Sequence, residues 1–391
     1  MPSSDGSAAI GGSVIVKPVA SKAELKQFIA LPKQLYQGQP GYVAPLDLER
    51  AEALDPKKNP FFDHAEVQLF LAWRDGKPVG RISAQICQLY QQRYQDQTGH
   101  FGFIDAIDDP AVFSALTTAA EDWLRQRGMT RIVGPLSFST NEETGLLING
   151  FNSLPMMLMP YHAPYTGHRL DDCFYVKAKD VIAYDMEVGN YKAIGSRRFD
   201  DRTLKSGDTR IKIRSLDMKN YHRDLSLALD IFNDAWSENW GMIPFTQGEI
   251  EAAAKGLKPL IDPKLVAIAE VDGVAAGMLV CVPNLLEAIA GLNGSLLPFG
   301  WLKLIWRLKF GQLKTSRVPL MGIRKKYHSS LLGASLLPRM FGSIKDHLLS
   351  RGIERVELSW ILEDNMPMRR VCEGVGGRAY KTFRVYEKSL V

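Results

Sequence analysis

The last quarter of the chain leaves the fewest folds open. Arg317–Ile323 (RVPLMGI) is an apolar run of strand length, and Ile353–Trp360 (IERVELSW) is a second. Between them lie a basic, small-residue loop, RKKYHSSLLGAS, and a long amphipathic helix that ends near Ser350–Gly352. Pro338 is expected in the first turn of that helix, where a missing N–H costs little. Asn365 opens a short helix closed by GVGG, and Arg378–Lys388 (RAYKTFRVYEK) alternates like a final strand. The order is strand, cationic loop, helix, strand, Asn, helix, strand.

At 391 residues the chain has room for two or three domains, and 46 % hydrophobic residues supply sizeable cores. The formal charge of +5 admits phosphates or an anionic lipid surface as partners. No Lys/Arg tract alternates with aromatics, so nucleic acid is not expected. Cys87, Cys173, Cys281 and Cys372 are widely spaced and form no CxxC; neither a metal site nor a disulfide framework is expected, and a reducing cytoplasm fits. Residues 1–13 are small and polar and read as a disordered tail without a signal peptide's apolar core. No run of about 18 apolar residues predicts a membrane span.

In the first half, Ser21 and Glu24 form a capping box for a helix bearing Leu25, Phe28 and Ile29. Glu66–Arg74 and Lys77–Leu89 around Asp75–Gly76 predict a hairpin. Phe101–Ala106 reads as a strand. A helix follows over Asp109–Gly128, with Asp109 at the cap and Pro110 at the first position. Thr130–Gly134 is the next strand. Gly134–Gly150 (GPLSFSTNEETGLLING) and Phe151–Tyr165 (FNSLPMMLMPYHAPY) then form a polar loop and a Pro/Met-rich loop. Together they gather Asn141, Glu142, Glu143, Tyr161, His162 and Tyr165. Loops after central strands carry function, and Glu142 or His162 is a candidate proton acceptor; a surface excursion held by Met and Pro packing is the plainer alternative.

Cys173–Tyr184 closes this half as strands, and residues 190–208 read as a connector. The second half repeats the plan with a strand at Arg210–Leu216, a helix at Tyr221–Trp236, a helix from Thr246, and a hairpin around Asp272–Gly273. The insertion at 283–316 holds SLLPFGWLKLIWRLKFGQLK. On a wheel, Lys303, Arg307 and Lys314 fall within about 40° of one another, opposite Trp301, Leu304, Ile305 and Leu308. With Trp306, this composition suits a helix lying in a membrane interface, or an amphipathic helix packed on protein.

The terminal stretch resembles the cofactor half of a GCN5-related N-acyltransferase (GNAT), in which N–H groups at a helix start hold the pyrophosphate of coenzyme A. The resemblance implies cofactor contacts from Ile323, Arg324, Lys325, Lys326, His328, Gly333, Ala334 and Asn365. The loop departs from the family pattern: His328 stands at the Arg/Gln position and Leu331 where a Gly is usual, so the cations supply the missing attraction, unless the loop is simply solvated. In the first half, Asp105, Asp108 and Asp109 occupy the equivalent junction and would repel a pyrophosphate. The expected fold is α/β: two tandem GNAT-like halves of mixed sheets flanked by helices, residues 14–189 degenerate for coenzyme A and residues 209–391 holding acyl-CoA.

Acyl transfer to an amine needs a base, oxyanion donors and an acid for the thiolate. Glu142, His162 and Glu363, or Asp364 beside it, are the candidate bases. Tyr386, Tyr380 and Cys372 are the candidate acids. Capping of the following helix is the alternative role for Asp364 or Asn365. Asn141, Tyr161, Tyr165, Trp301 and Trp306 are the candidate substrate contacts. GPLSFSTNEETGLLINGF, PMMLMPYHAPY, ELSWILEDNMPMRR and GGRAYKTFRVYEK together resemble a bacterial family of double acyltransferase-like proteins that includes bacterial ceramide synthases. That resemblance implies N-acylation of a long-chain sphingoid base by fatty acyl-CoA, without a metal, at the inner face of the cytoplasmic membrane. An amino acid or peptidoglycan-type amine as acceptor, or a non-catalytic lipid-binding fold, are the alternatives.

Overall fold

A computed structural model describes residues 12–191, 209–258, 261–311, 313–328 and 330–391. The expected tail (residues 1–11) and most of the expected connector (192–208) lie outside the described residues. Fifteen strands are seen among the described residues. In the first half they are β1 (Ile15–Pro18), β2 (Ala65–Arg74), β3 (Lys77–Cys87), β4 (Thr98–Ala106), β5 (Arg131–Gly134), β6 (Leu136–Ser137), β7 (Glu143–Thr144), β8 (Leu146–Asn149) and β9 (Val176–Glu187). In the second they are β10 (Ile211–Ser215), β11 (Val266–Val271), β12 (Val274–Pro283), β13 (Thr315–Ile323), β14 (Arg355–Leu362) and β15 (Arg378–Ser389).

The halves share one plan. Strands β1 to β4 pair antiparallel in sequence, and β4 lies parallel to β5 after the Pro110–Arg125 helix. Strands β10 to β13 do the same, and β13 lies parallel to β14 after the Leu331–Ser350 helix. A parallel pair needs a crossover, and in each half this helix supplies it. The last strands are exchanged. β9, from the first half, pairs with β14 of the second; β15, from the second, pairs with β5 of the first; and β9 and β15 pair with each other. One sheet therefore runs β1-β2-β3-β4-β5-β15-β9-β14-β13-β12-β11-β10.

Local signals set the helix ends. Ser21 and Thr246 make capping boxes, and Asp109 caps the Pro110–Arg125 helix through the Ala111 N–H. Each helix buries one face. Val112, Phe113, Leu116 and Leu124 pack on Ile82, Phe101 and Ile104, while Leu336, Met340, Phe341 and Ile344 pack on Leu279, Val318 and Val356. Each such side chain contributes about 1.5–3 kcal/mol when fully buried. Pro338 lies well inside its helix rather than in the first turn, because Ser330 sets the helix start; the Tyr191 hydroxyl donates to the Pro338 carbonyl at 2.7 Å. Gly134–Gly150, expected as a polar loop, instead forms β6, β7 and β8, and most of its side chains are buried or half-buried.

Candidate active site at the seam of the two halves

In each half the parallel pair comes apart toward its end. In the first, β4 and β5 stay paired only from Thr98↔Arg131 to His100↔Val133. The chain's own Leu136–Phe138 fills the opening. The Ser137 Oγ accepts the Phe103 N–H at 3.0 Å, and Gln85 Nε2 donates to the Leu136 and Phe138 carbonyls at 2.6 and 3.2 Å. A side chain at Gly102 would overlap the Leu136 carbonyl. Phe138 stacks on Phe61 at 5.2 Å and meets Phe103 at 4.9 Å. This cleft is packed with protein.

Asn141, Glu142, Tyr161, His162 and Tyr165 each have a separate duty. Asn141 Nδ2 donates to Ile243 O at 2.9 Å and ties the halves. Glu142 accepts the Phe138 N–H at 3.2 Å, and burial pushes its carboxyl up to about 8. Its neighbour Glu143 pairs with Arg50. His162 Nδ1 accepts the Leu147 N–H at 3.2 Å, and burial lowers its basicity. Tyr165 donates to Ala106 O at 2.7 Å. Tyr161 packs against Tyr36 and Tyr42 at 5.1 and 5.4 Å, and the buried Tyr42 hydroxyl has no partner among the described residues.

The remaining catalytic candidates lie elsewhere. Glu363 takes Lys177 Nζ at 2.5 Å and the Asp180 N–H at 3.1 Å, and Asp364 takes Lys179 at 2.8 Å, so both pin the end of β14 to β9. Asn365 caps the Met366–Gly374 helix through the Met368 N–H at 3.2 Å. Tyr386 is buried in the first core, its hydroxyl pushed up to about 12 by burial. Cys372 sits in the second core, its thiol likewise pushed up to about 12.

The cationic loop is largely self-satisfied. Arg324 pairs with Asp230 and Lys325 with Glu238, both at 2.6 Å, and the Lys325 N–H reaches Asp234 at 3.0 Å. The acids stand four residues apart, on one face of the Tyr221–Trp236 helix and its extension. His328 Nε2 lies 2.7 Å from Ile323 O, and the Gly333 N–H is taken by the Ser330 Oγ at 3.0 Å. Ala334 donates its N–H to Ser330 O at 3.0 Å. A side chain at Gly333 would overlap Tyr327 O, which is why a glycine stands there. Lys326 is exposed, rests 4.8 Å over the Tyr327 ring, and has no carboxylate partner among the described residues.

A buried polar cluster occupies the seam. β13 and β14 are paired from Thr315↔Arg355 to Val318↔Leu358, which makes Arg317 and Glu357 direct register partners just before the strands part. Both are fully buried. The Arg317 Nε lies 3.3 Å from Glu357 and donates to the Ser359 Oγ at 2.9 Å; the guanidinium also donates to Met157 O and lies 5.0 Å from the Trp360 ring centre. Glu357 accepts the Ser359 hydroxyl at 2.6 Å and the Tyr380 hydroxyl. Buried Lys381 donates to Leu154 O at 2.7 Å, and burial pushes its ammonium down to about 8. β14 and β15 each shift register opposite the same stretch of β9, Ile182–Tyr184, and these irregularities bring Ser359 and Tyr380 to Glu357.

The Pro155–Met159 segment of the first half closes over this cluster. Its carbonyls take Arg317 at Met157 and Asn284 Nδ2 at Pro155 (3.0 Å), and the Met159 sulfur lies 3.8 Å from Ser359. Beside it, Asn149, Gly150, Phe151, Asn152, Ser153 and Tyr380 line an open depression of about 470 Å³. Phe151, Tyr161, Trp360, Leu362 and Tyr380 pack on one apolar cluster there. Arg317, Glu357 and Lys381 were not singled out from the sequence. The available signal was a charge inside each of the apolar runs RVPLMGI and RVELSW, which burial makes costly unless paired.

The insertion helix, Gly300–Phe310, buries none of its residues. It is the basic side of the wheel, at Arg307, that meets the protein, and not the apolar face. Arg307 faces the protein and donates to Ala288 O and Ala290 O at 2.8 and 2.6 Å, at the carboxyl end of the Leu285–Ile289 helix, where a cation is favoured. Lys314 lies beyond the helix end and pairs with Glu354. The apolar residues point outward: Trp301, Leu302, Ile305, Trp306 and Phe310 are 45–65 % exposed, with Leu297 and Phe299 beside them. Lys303 and Lys309 are exposed among them. The Asp47 N–H donates to Gly294 O at 2.9 Å, and Gly41 lies against the Phe151 and Ser153 carbonyls, so the 41–47 segment touches both the insertion and the lining of the depression. Among the described residues no helix is long and apolar enough to cross a membrane, and no group of His, Cys, Asp or Glu is placed to hold a metal ion.

No family model matches the chain. It is 52 % identical over 377 residues, 96 % of this chain and 97 % of the relative, to the bacterial ceramide synthase of Caulobacter vibrioides (strain NA1000 / CB15N). It is 40 % identical over 377 residues, 96 % of this chain and 95 % of the relative, to protein YghO of Escherichia coli (strain K12). Among solved structures it is similar to a tandem GNAT protein from the clavulanic acid biosynthesis pathway, with a TM-score of 0.56, 12 % identity, and coverage of 97 % of this chain and 99 % of that one. The exchanged double sheet is thus a tandem GNAT fold, and the chain is an acyltransferase belonging to the bacterial ceramide synthase family.

Proposed function

We propose that the protein transfers a long-chain fatty acyl group from coenzyme A to the amine of a long-chain lipid base, sphinganine or its 3-keto form, yielding a (dihydro)ceramide-type amide at the inner face of the cytoplasmic membrane. The observation that carries this reading is the outward apolar face of Gly300–Phe310. A substrate pair with two alkyl chains is held mainly by apolar contact, each buried CH₂ contributing about 0.8 kcal/mol. Such substrates reside in a bilayer, and Trp, Phe and Lys on an exposed helix suit its interface. The name of the Caulobacter relative points the same way.

The acyl thioester is assigned to the second half, because the equivalent cleft of the first is packed by Leu136–Phe138. Lys326 is the cation free for a phosphate of coenzyme A, while Arg324 and Lys325 would have to release Asp230 and Glu238. The test is purified protein with palmitoyl-CoA and a panel of amines: sphinganine, 3-ketosphinganine, an amino acid and a muropeptide amine. Thiol release with the long-chain amines alone is expected, with the amide identified by mass spectrometry. Equal turnover of the amino acid, or no thiol with any amine, would overturn the reading.

A further inference from the structure

We propose that the acceptor amine binds in the Asn149–Ser153/Tyr380 depression and loses its proton to Glu357 through the Tyr380 hydroxyl, which makes Tyr380 a catalytic residue and Glu357 the proton store behind it. This rests on the transfer reading above and deepens it.

Three observations converge on these two residues. Tyr380 belongs to the lining of the depression, and its hydroxyl donates to Glu357, a carboxylate with no surface of its own. Glu357 is held by Ser359 and Arg317 in the place where β13 and β14 part, and β14 and β15 both depart from regular pairing to bring Ser359 and Tyr380 to it. The cluster also contains two buried basic groups, Arg317 and Lys381, against one carboxylate. Burying three ionisable side chains is costly, and a hydrophobic core of the same shape would hold the seam as well. The excess of basic groups favours negative charge developing nearby, as on an acyl-transfer oxyanion or a departing thiolate. Lys381, lowered by burial, adds to that field without needing a second carboxylate.

The amine arrives as an ammonium ion and gives one proton to the Tyr380 oxygen while the Tyr380 proton passes to Glu357. The neutral nitrogen then attacks the thioester carbonyl carbon, and a C–N bond forms. The C–S bond breaks, and the second nitrogen proton passes to the departing thiolate, leaving amide and free coenzyme A. The proton on Glu357 returns through Tyr380 to solvent.

The experiment uses the full chain with palmitoyl-CoA and two acceptors, sphinganine and O-octadecylhydroxylamine, whose alkoxyamine is already neutral at pH 7. Tyr380→Phe keeps the ring and leaves Glu357 its Ser359 and Arg317 contacts. With sphinganine it should lower kcat by about 100-fold or more, in the range of acid–base catalysis, and leave the KM for palmitoyl-CoA within about threefold. With the alkoxyamine the loss should shrink to below about fivefold. Glu357→Gln keeps a hydrogen-bond acceptor for Tyr380 but not the charge, and should show the same split; circular dichroism checks both folds. A Tyr380→Phe kcat near wild type, or equal losses with both acceptors, overturns the relay while leaving the transfer reading intact. A wild-type protein that releases no thiol overturns the transfer reading, and the relay with it.

Discussion

Replacing Trp301 and Trp306 together by serine tests what the outward helix is for. Their exposures of 45 % and 60 %, taken on a tryptophan of up to about 250 Å², leave about 110 and about 150 Å² open to solvent. Immersed completely at ~25 cal/mol per Å², that surface would contribute ~6.5 kcal/mol to membrane partitioning. Immersion of about half of it leaves ~3 kcal/mol, on the order of a hundredfold in the partition constant. Neither indole packs in a core, so thermal stability should change by less than ~0.5 kcal/mol. The assay is co-sedimentation with vesicles of phosphatidylcholine and phosphatidylglycerol. Wild type should pellet and the double variant should stay in solution, and Lys303→Glu with Lys309→Glu should weaken binding by ~1 kcal/mol per charge site, less at high salt. Unchanged pelleting of W301S/W306S would refute the bilayer as the partner. Wild type that stays in solution but dimerises with concentration would assign the face to a second copy of the chain.

Lys326→Glu should raise the KM for palmitoyl-CoA by roughly threefold to tenfold through lost attraction to phosphate, and Lys325→Glu by less, because Lys325 is already paired with Glu238; an unchanged KM in both would remove coenzyme A from this loop. Phe138→Ala should destabilise the protein by ~3–5 kcal/mol in denaturant melts, since Phe138 is buried among Phe61, Phe62 and Phe103; a loss below ~1 kcal/mol would mean that the first cleft is not held shut by packing. Glu142 keeps its proton up to about 8 when folded, against 4.5 ordinarily. Between those values the unfolded chain binds fewer protons than the native one, so this group's contribution to stability falls as pH rises. Glu142→Gln lacks that slope and should gain about 3–4 kcal/mol relative to wild type on going from pH 5 to pH 8; a pH-independent difference between the two would contradict the buried carboxyl.

Much of the architecture follows from short-range pattern. The capping boxes at Ser21 and Thr246, the Asp109–Pro110 helix start, and the hairpins around Asp75–Gly76 and Asp272–Gly273 depend on neighbours a few residues apart. The face of Leu225, Leu229 and Phe232 is buried as its periodicity requires. The Gly300–Phe310 helix was equally legible, but which of its faces meets the protein was not. Arg307 settles that by reaching two carbonyls at the end of another helix, a contact that no wheel contains.

What the sequence determined by itself is most of the elements and their order, β6, β7 and β8 excepted, because periodicity, caps and turns act within a few residues. The tertiary structure alone decided which strands became neighbours. Alternation marks β9 and β15 as strands but says nothing of partners, and each crosses to the other half, where its apolar face is covered. That exchange carries Tyr380 to Glu357, and the parallel register of β13 with β14 sets Glu357 opposite Arg317. Residues 23 and 40 positions apart meet here only where pairing, burial and the cost of an unpartnered charge are satisfied together.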